Sequence, residues 1–471
     1  METGKILAVL QKYNQKQILE HYRRITPGKK KALIKDISGL DLELTFRVHR
    51  EFSRQKDSVR THHDIKTASI IRIPQTRREK ELQEEARNLG ENLLRKNKVA
   101  VLIVAGGQGS RLGYDGPKGL FPISPVKQKP LFRMFAEKVK ALANRYRAEI
   151  PLLIMTNREN RRTIEIFFKE HRFFRLNPED LYFFEQEMLP SVTPEGNLIL
   201  KDETHLFVNP NGHGGSLKAL FRSGILKTLL ERNVSELFYC QVDNPLVRVA
   251  DPVFLGYHNM GNAEMSLKVL RRRDGFEKVG IYGTVNGKPS VVEYSDLPPE
   301  EMSAVDEEGR LKYWPGSIAI HIFSLTFIRR LNEKGFALPY HRAVKPLLPT
   351  YASSTREEEN GGGDNQRCPV TAWKFETFVF DALPLAQRVC CVETIREEEF
   401  APVKNRTGED SPETTRRALS NQYKKWLRAA GVETAPEVLV EISPLYALDQ
   451  EELVRKVRRK NLRISQDTYL G

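Results

Sequence analysis

The sequence predicts an α/β fold: a three-layer core on a mostly parallel sheet, with a helical N-terminal lobe and a small C-terminal domain. Three observations carry this expectation. Apolar runs of strand length, at 99–105, 151–156 and 237–247, alternate with helical stretches. A glycine-rich turn closes the first of these runs. The sequence before about residue 95 and beyond about 408 is charged and helix-forming instead. The 471 residues exceed one ordinary domain, so we divide them into a lobe at 1–95, a core at 96–408 and a C-terminal domain at 409–471.

In the lobe, Ile6, Leu7 and Leu10, then Ile18, Leu19 and Tyr22, recur at helical spacing, with a break at Thr26-Pro27-Gly28. Val99 to Ala105 reads as a buried parallel strand that stops at Gly106, Gly107 and Gly109. Pro130 sits where a first helical turn tolerates proline, and Leu131, Phe135, Val139 and Leu142 then form one apolar face. PLLIMT at 151–156 supplies a second buried strand. LYFFEQEMLP, LFYCQVDNPLV and VGIYGTV supply more, separated by helical stretches such as SLKALFRSGILKTLLERN. Such alternation implies a Rossmann-like sheet covered on both faces, with ligands at the carboxyl ends of its strands. YASSTREEENGGGDNQR at 351–367 reads as a surface insertion, and EVLVEISPLY as a short C-terminal strand.

Lys and Arg outnumber Asp and Glu by 75 to 61, a net charge of +14 that favours anionic partners. The excess is diffuse. Basic clusters at Arg271–Arg273 and Arg455–Lys460 lack interleaved aromatics or a nucleic-acid motif and read as solvated faces, so no nucleic-acid partner is expected. The four cysteines, Cys240, Cys368, Cys390 and Cys391, form no C-x-x-C pair and no zinc spacing, which suits a reduced, cytoplasmic protein. The N-terminus has only a five-residue apolar run, and no stretch approaches eighteen apolar residues, so neither export nor a membrane is expected.

The turn after the first strand points to phosphate. Backbone amides bared by glycine form an anion-binding concavity, and Arg111 and Lys118 add positive charge within a dozen residues. The spacing of Gly106, Gly107, Gly109 and Gly113 is not that of a dinucleotide fold, and Lys118 is followed by Gly119 without the G-x-x-x-x-G-K-[ST] of a P-loop. The ligand these features suggest is a nucleoside polyphosphate. Asp243, delivered at the end of an apolar strand, suits a divalent cation that takes one carboxylate and fills its shell with phosphate and water. A second glycine-rich turn, NPNGHGGSLKAL at 209–220, opens a helix where the backbone can approach a ligand closely.

The string GGQGSRLG followed by PKG resembles the nucleotide-binding loop of the UDP-sugar pyrophosphorylases, UTP-dependent sugar-1-phosphate uridylyltransferases, and is most similar to their eukaryotic-type UDP-N-acetylglucosamine branch. The resemblance runs through MTN at 155–157, FFEQEMLP, VDN at 242–244, GIYGTVNGKPSVVEYSDL, WKFETFVFD and REEEFAPVKN, in the family's order over about 97–408. It implies the nucleotide-diphospho-sugar transferase fold and a reaction of UTP with a sugar 1-phosphate to give a UDP-sugar and pyrophosphate. It also implies particular residues. Ala105, Gly106, Gly107, Gly109, Gln186, Gly212 and Gly214 would contact the nucleotide; Arg111, Lys118 and Lys404 would act on phosphates; Asp243 would hold Mg²⁺; His213, Gly280, Glu293, Phe378 and Phe380 would face the sugar. An amide such as that of Gln186 offers a base edge both a donor and an acceptor.

Two stations depart from the N-acetylglucosamine branch. His213 stands where that branch usually carries asparagine, and GSIAIH at 316–321 has Ser317 and Ile320 in place of two asparagines. N-acetylglucosamine 1-phosphate is the first expectation for the sugar. Glucose, a broader sugar range, or a silent nucleotide-binding relative are the alternatives.

Overall fold

A computed structural model describes residues 2–54, 65–348, 369–457 and 463–471. The expected insertion at 351–367, Cys368, and positions 458–460 of the second basic cluster lie outside them. The chain forms two compact units, the first from Met1–Val59, Gln186–Ser216 and Leu338–Val379, the second from Arg60–Glu185, Leu217–Ala337 and Phe380–Gly471.

The first unit begins with four helices, Glu2–Lys12, Lys16–Arg24, Pro27–Ser38 and Leu42–Arg54. The break expected at Thr26 is a helix boundary: extended Thr26 precedes Pro27 at the first helical position, where a missing N–H costs nothing. Leu10, Ile18, Leu33, Ile37 and Phe46 are buried in a core completed by Leu189, Val192, Leu198, Leu206 and Phe375 from distant parts of the sequence. Buried Asp36 accepts from the backbone N–H of Leu206 at 3.0 Å, tying helix to loop. Strand Met188–Pro190 pairs antiparallel with Val208–Pro210, and His341–Leu347 with Val370–Glu376.

The second unit is built on a ten-stranded sheet. We number its strands β1 (Ile65–Lys66), β2 (Val99–Val104), β3 (Leu152–Thr156), β4 (Leu181–Glu185), β5 (Glu236–Gln241), β6 (Met265–Arg271), β7 (Gly280–Val285), β8 (Lys288–Val292), β9 (Pro315–Ser324) and β10 (Val389–Glu393). The heart of the sheet is parallel as expected, in the order β4-β3-β2-β5. β9 pairs antiparallel with β6 along both of its stretches, and also with β7 at Gly316 and Ser317 and with β5 from His321 to Ser324. β10 extends β6 in parallel. Val99 to Ile103 are buried along the whole strand, the pattern of a strand covered on both faces.

Helices α1 (Arg77–Arg95), α2 (Leu131–Tyr146), α3 (Pro252–Met260) and α4 (Pro412–Ala429) contribute to one core with this sheet. α2 buries Leu131, Phe135, Val139 and Leu142, the face read from the sequence, while Pro130 proves to be the capping residue just before the first turn. α1 and α3 approach through glycine: a Cβ on Gly90 would meet Pro252 O at 1.9 Å, and one on Gly256 would meet Ala86 O at 1.7 Å. α4 opens with a capping box between Ser411 and Thr414. After it, Val440–Ile442 pairs in parallel with Thr468–Leu470, within the short strand expected there.

Three local features differ from the sequence reading. The helical run at 216–233 is two helices, Gly215–Arg222 and Ile225–Glu231, because Gly224 adopts a left-handed φ of +79°. β9 carries a register shift between Ser317 and His321, with Ala319 at φ +55°. In the basic triplet Arg271–Arg273 the outer two arginines are exposed as expected, and only Arg272 is taken up by the fold. Arg271 pairs with Glu393 at 3.1 Å, buried Arg272 donates to the carbonyls of Met302, Tyr313 and Gly275, and Arg273 pairs with Glu409 at 3.2 Å.

Candidate active site

Parallel pairing makes β2, β3 and β5 end on the same edge of the sheet, and the residues following each end are the motif residues. Gly106 follows β2, Asn157 follows β3 and Asp243 follows β5. The glycine turn is fixed from outside: Ala105 donates to Met155 O at 2.9 Å, and its carbonyl accepts from Asn160 Nδ2 at 3.3 Å. Asn157 Nδ2 donates to Gly106 O at 2.6 Å, and the two asparagines also cross-link each other, Asn157 N to Asn160 Oδ1 at 2.8 Å.

Two N–H groups of this turn, those of Gly106 and Gly107, have no hydrogen-bond acceptor among the described residues. Gly109 does not share that state, since its N–H donates to Gly116 O at 2.8 Å and closes the loop. A Cβ on Gly109 would lie 2.9 Å from the Tyr114 ring, so glycine is needed there for packing. Gly107 is exposed and Gly106 buried. The bare pair forms a concave donor set for an anion.

Around this turn the structure gathers the charged stations of the second unit. Lys118, whose backbone N–H donates to Gly107 O at 3.1 Å, places Nζ 3.5 Å from Asp243 Oδ2. Both side chains are largely buried, at 16% and 13% exposure, so their attraction is little screened. Arg111 stands exposed on the short turn Ser110–Leu112, with no ion-pair partner among the described residues. Lys404 is connected to Asp243 through the backbone: Val403 N donates to Asp243 O at 2.8 Å. Its own Nζ lies 3.6 Å from Asp410 and 5.6 Å from the centre of the Phe400 ring.

Sequence reasoning missed the scaffold beneath Asp243 and Lys404. Buried Asn244 donates from Nδ2 to Glu399 O at 2.7 Å and accepts at Oδ1 from Ala401 N at 3.1 Å, gripping the strap that leads to Lys404. Lys268, 2% exposed, pairs with Glu399 and, at 2.6 Å, with Asp251. Asp251 is the helix cap read from the sequence, accepting from Val253 N at 3.1 Å. It has a second role as a buried counter-ion. Burial works to raise its carboxyl, but Lys268 and then Arg248 outweigh burial and hold it below the ordinary carboxylate value. The signal available was Lys268 itself, a lysine in the middle of an apolar strand run.

Two of the residues expected near the sugar, Gly280 and Glu293, lie together in this unit. A Cβ on Gly280 would be 3.7 Å from Glu293 Oε1, and Gly280 pairs in register with Ser317 of β9. Ile320, inside the irregular part of β9, is buried. Phe380 is buried at 8% exposure.

In the first unit the second glycine turn is built against strand Val370–Glu376 and the residues after it. Gly212, at φ +84°, leaves no room for a side chain: a Cβ would meet Thr377 O at 2.3 Å. Gly214 N donates to the same carbonyl at 2.9 Å. Gln186, buried, donates from its amide to Gly212 O at 2.7 Å, which sets the ring of contacts around the turn. His213 accepts at Nδ1 from Val379 N at 3.2 Å, and its ring lies 5.4 Å from that of Phe378. The tautomer this demands leaves a proton on Nε2.

Among the described residues no group of three or more His, Cys, Asp or Glu is arranged to hold a metal. Asp243 alone therefore fits a cation completed by phosphate and water, and not a protein cage. Cys240, Cys390 and Cys391 are free and buried, and burial pushes the Cys240 thiol up to about 12 and Cys390 up to about 11. They are poor nucleophiles. Among the described residues no helix is long and apolar enough to cross a membrane.

The chain is similar to known proteins over most of its length. UDP-N-acetylglucosamine pyrophosphorylase of Saccharomyces cerevisiae is 36% identical over 381 residues, 79% of this chain and 78% of that protein. UDP-N-acetylhexosamine pyrophosphorylase-like protein 1 of Homo sapiens is 32% identical over 95% of this chain and 93% of its own. The crystal structure of the Trypanosoma brucei uridine diphosphate N-acetylglucosamine pyrophosphorylase, in complex with inhibitor, superposes with a TM-score of 0.84 at 25% identity, covering 99% of both chains. A family model described as UTP–glucose-1-phosphate uridylyltransferase matches residues 45–465, and with it the chain belongs to that family of nucleotidyltransferases.

Proposed function

We propose that the protein joins UTP and N-acetylglucosamine 1-phosphate to give UDP-N-acetylglucosamine and pyrophosphate. The observation that carries this reading is the convergence of Gly106, Gly107, Lys118, Asp243 and the Lys404 strap at one edge of the sheet, in a chain whose relatives are UDP-N-acetylglucosamine pyrophosphorylases.

The sugar phosphate oxygen attacks the α-phosphorus of UTP in line, and the bond from that phosphorus to the oxygen bridging the β-phosphate breaks, releasing pyrophosphate. The nucleophile is already ionised at neutral pH, so the protein has to bring anions together and stabilise the charge of a loose transition state. In this reading the bare amides of Gly106 and Gly107 and the side chains of Arg111 and Lys118 receive the β- and γ-phosphates. Lys404 receives the sugar phosphate. Asp243 would hold Mg²⁺, which when bound supplies charge neutralisation to phosphate oxygens. The 3.5 Å pair with Lys118 holds the Asp243 carboxylate in position. Gln186 and the Gly212–Gly214 turn contact the uracil, while Gly280, Glu293, Phe378 and Phe380 face the sugar. The burial of Cys240 and Cys390, which raises both thiols, agrees with direct transfer without a thiol intermediate. The free thiols also support a cytoplasmic setting.

A second reading, glucose or galactose 1-phosphate as substrate, draws on His213, Ser317 and Ile320. Ser317 lies beside Gly280 in register and is shorter than the asparagine of the N-acetylglucosamine branch. Pyrophosphate release with UTP and Mg²⁺ against N-acetylglucosamine, N-acetylgalactosamine, glucose and galactose 1-phosphates tests both. Preference for the N-acetyl sugars is expected. Preference for glucose or galactose replaces the sugar and keeps the chemistry, and release with none overturns the enzyme.

A further inference from the structure

The second unit contains a cavity of about 610 Å³ that none of the residues assigned above to nucleotide, sugar or metal lines. Its size is that of small-molecule sites. One wall is apolar and aromatic, with Leu142, Leu419, Tyr423 and Trp426, the last two rings packed edge to face at 5.6 Å.

The cations around it are unequal. Arg145 pairs with Asp449 and Glu452, Arg87 with Glu451 at 3.1 Å, and Arg248 and Lys425 share Glu398 at 2.7 Å each. Lys138 has no carboxylate within ion-pair distance among the described residues. Its Nζ donates to the carbonyls of Pro245 at 2.5 Å and Val247 at 2.7 Å. With its ammonium also 5.8 Å from the centre of the Phe135 ring, half-buried Lys138 keeps a third N–H and a charge that no carboxylate neutralises, and an anion would supply one. At the rim, exposed Arg455 also lacks a carboxylate partner among the described residues.

We infer that this cavity is a second ligand site, taking a small organic anion that sets a phosphate or carboxylate against Lys138 and a flat apolar group against Tyr423 and Trp426. The site reaches the reaction through its floor. Pro245 and Val247 follow directly on Asp243 and Asn244, so Lys138 grips the back of the loop whose front carries Asp243. An occupant that draws on Lys138 alters that grip. This coupling rests on the metal-holding role proposed for Asp243, whereas the binding itself does not.

The test is calorimetric titration of the full chain with 1-naphthyl phosphate, run with excess UTP so that the proposed nucleotide site is filled. One saturable site is expected. Lys138→Met, which removes the charge-assisted hydrogen bond to the anion, should weaken binding about tenfold or more, and Lys138→Arg should retain most of the affinity. Arg455→Glu, an exposed change that leaves the core intact, should weaken it about threefold or more by repulsion. Inorganic phosphate should bind about tenfold more weakly than the naphthyl ester, for want of the apolar group. Tighter binding of 1-naphthoate than of 1-naphthyl phosphate would identify carboxylates as the class, and the reverse phosphate esters. No saturable binding in the presence of UTP, or equal affinity in wild type, Lys138→Met and Arg455→Glu, overturns the site. Separately, the probe should shift the magnesium concentration for half-maximal pyrophosphate release by about twofold or more. An unmoved titration with the probe bound overturns the coupling alone, and no pyrophosphate release with any sugar condemns the enzymatic reading without touching the binding result.

Discussion

At the scale of single residues, the proposed chemistry separates groups that touch phosphate from groups that hold them in place. Arg111 and Lys404 belong to the first kind, and each stands outside the buried core, so removing either should spare the fold. Losing one preorganised donor to a transition state costs about 10² to 10³ in kcat, and that is the expected effect of Arg111→Ala or Lys404→Ala in a pyrophosphate-release assay. Near-normal kcat in either variant removes that residue from the mechanism. Asp243→Ala should raise the magnesium requirement; an unchanged magnesium titration would remove the metal from Asp243. Asn157 belongs to the second kind. Its amide is engaged by Gly106 O at 2.6 Å and supports the turn, so Asn157→Ala should raise the KM for UTP more than it lowers kcat.

At the scale of elements, the sheet and its loops were legible and their internal supports were not. Val99–Val104 and Leu152–Thr156 announce themselves because a strand buried on both faces is apolar nearly throughout. The irregularity of β9 at Ala319 leaves no such trace, since a bulge depends on which neighbours the strand serves: here β6 with β7 along one stretch, β6 with β5 along the other. Candidate phosphate residues were readable from type and spacing, while the hold of Asn244 on the strap to Lys404 joins residues far apart in sequence and no local pattern encodes it. The same holds for the glycines where α1 and α3 meet. Gly256→Ala should push α3 off Ala86 and cost about 1 to 3 kcal/mol, read as a lower midpoint in urea; an unchanged midpoint would mean the helices separate freely.

At the scale of the whole molecule, the +14 charge makes pH the sharpest probe of what holds the chain. The second unit draws its C-terminal residues onto α2 with ion pairs, chief among them Arg145 with Asp449 and Glu452. Partial burial alone would raise the Glu452 carboxyl, but the N–H of Leu448, then Lys456 and Arg145, pull it down to about 2. Its folded value is thus below its ordinary one of 4.5, so its contribution to stability is complete above the ordinary value and is lost as pH falls from 4.5 toward 2. Glu452 keeps 23% of its side-chain surface exposed, so solvent screening trims the contribution. Thermal melts of wild type and Glu452→Gln should therefore differ at about pH 6, with the variant melting lower, and the difference should shrink as pH falls from 4.5 toward 2, where the folded carboxyl is about half protonated. A difference that persists unchanged at the acid end would assign the loss to packing, and the ion pairs would then be bystanders to a core that already holds the C-terminal residues in place.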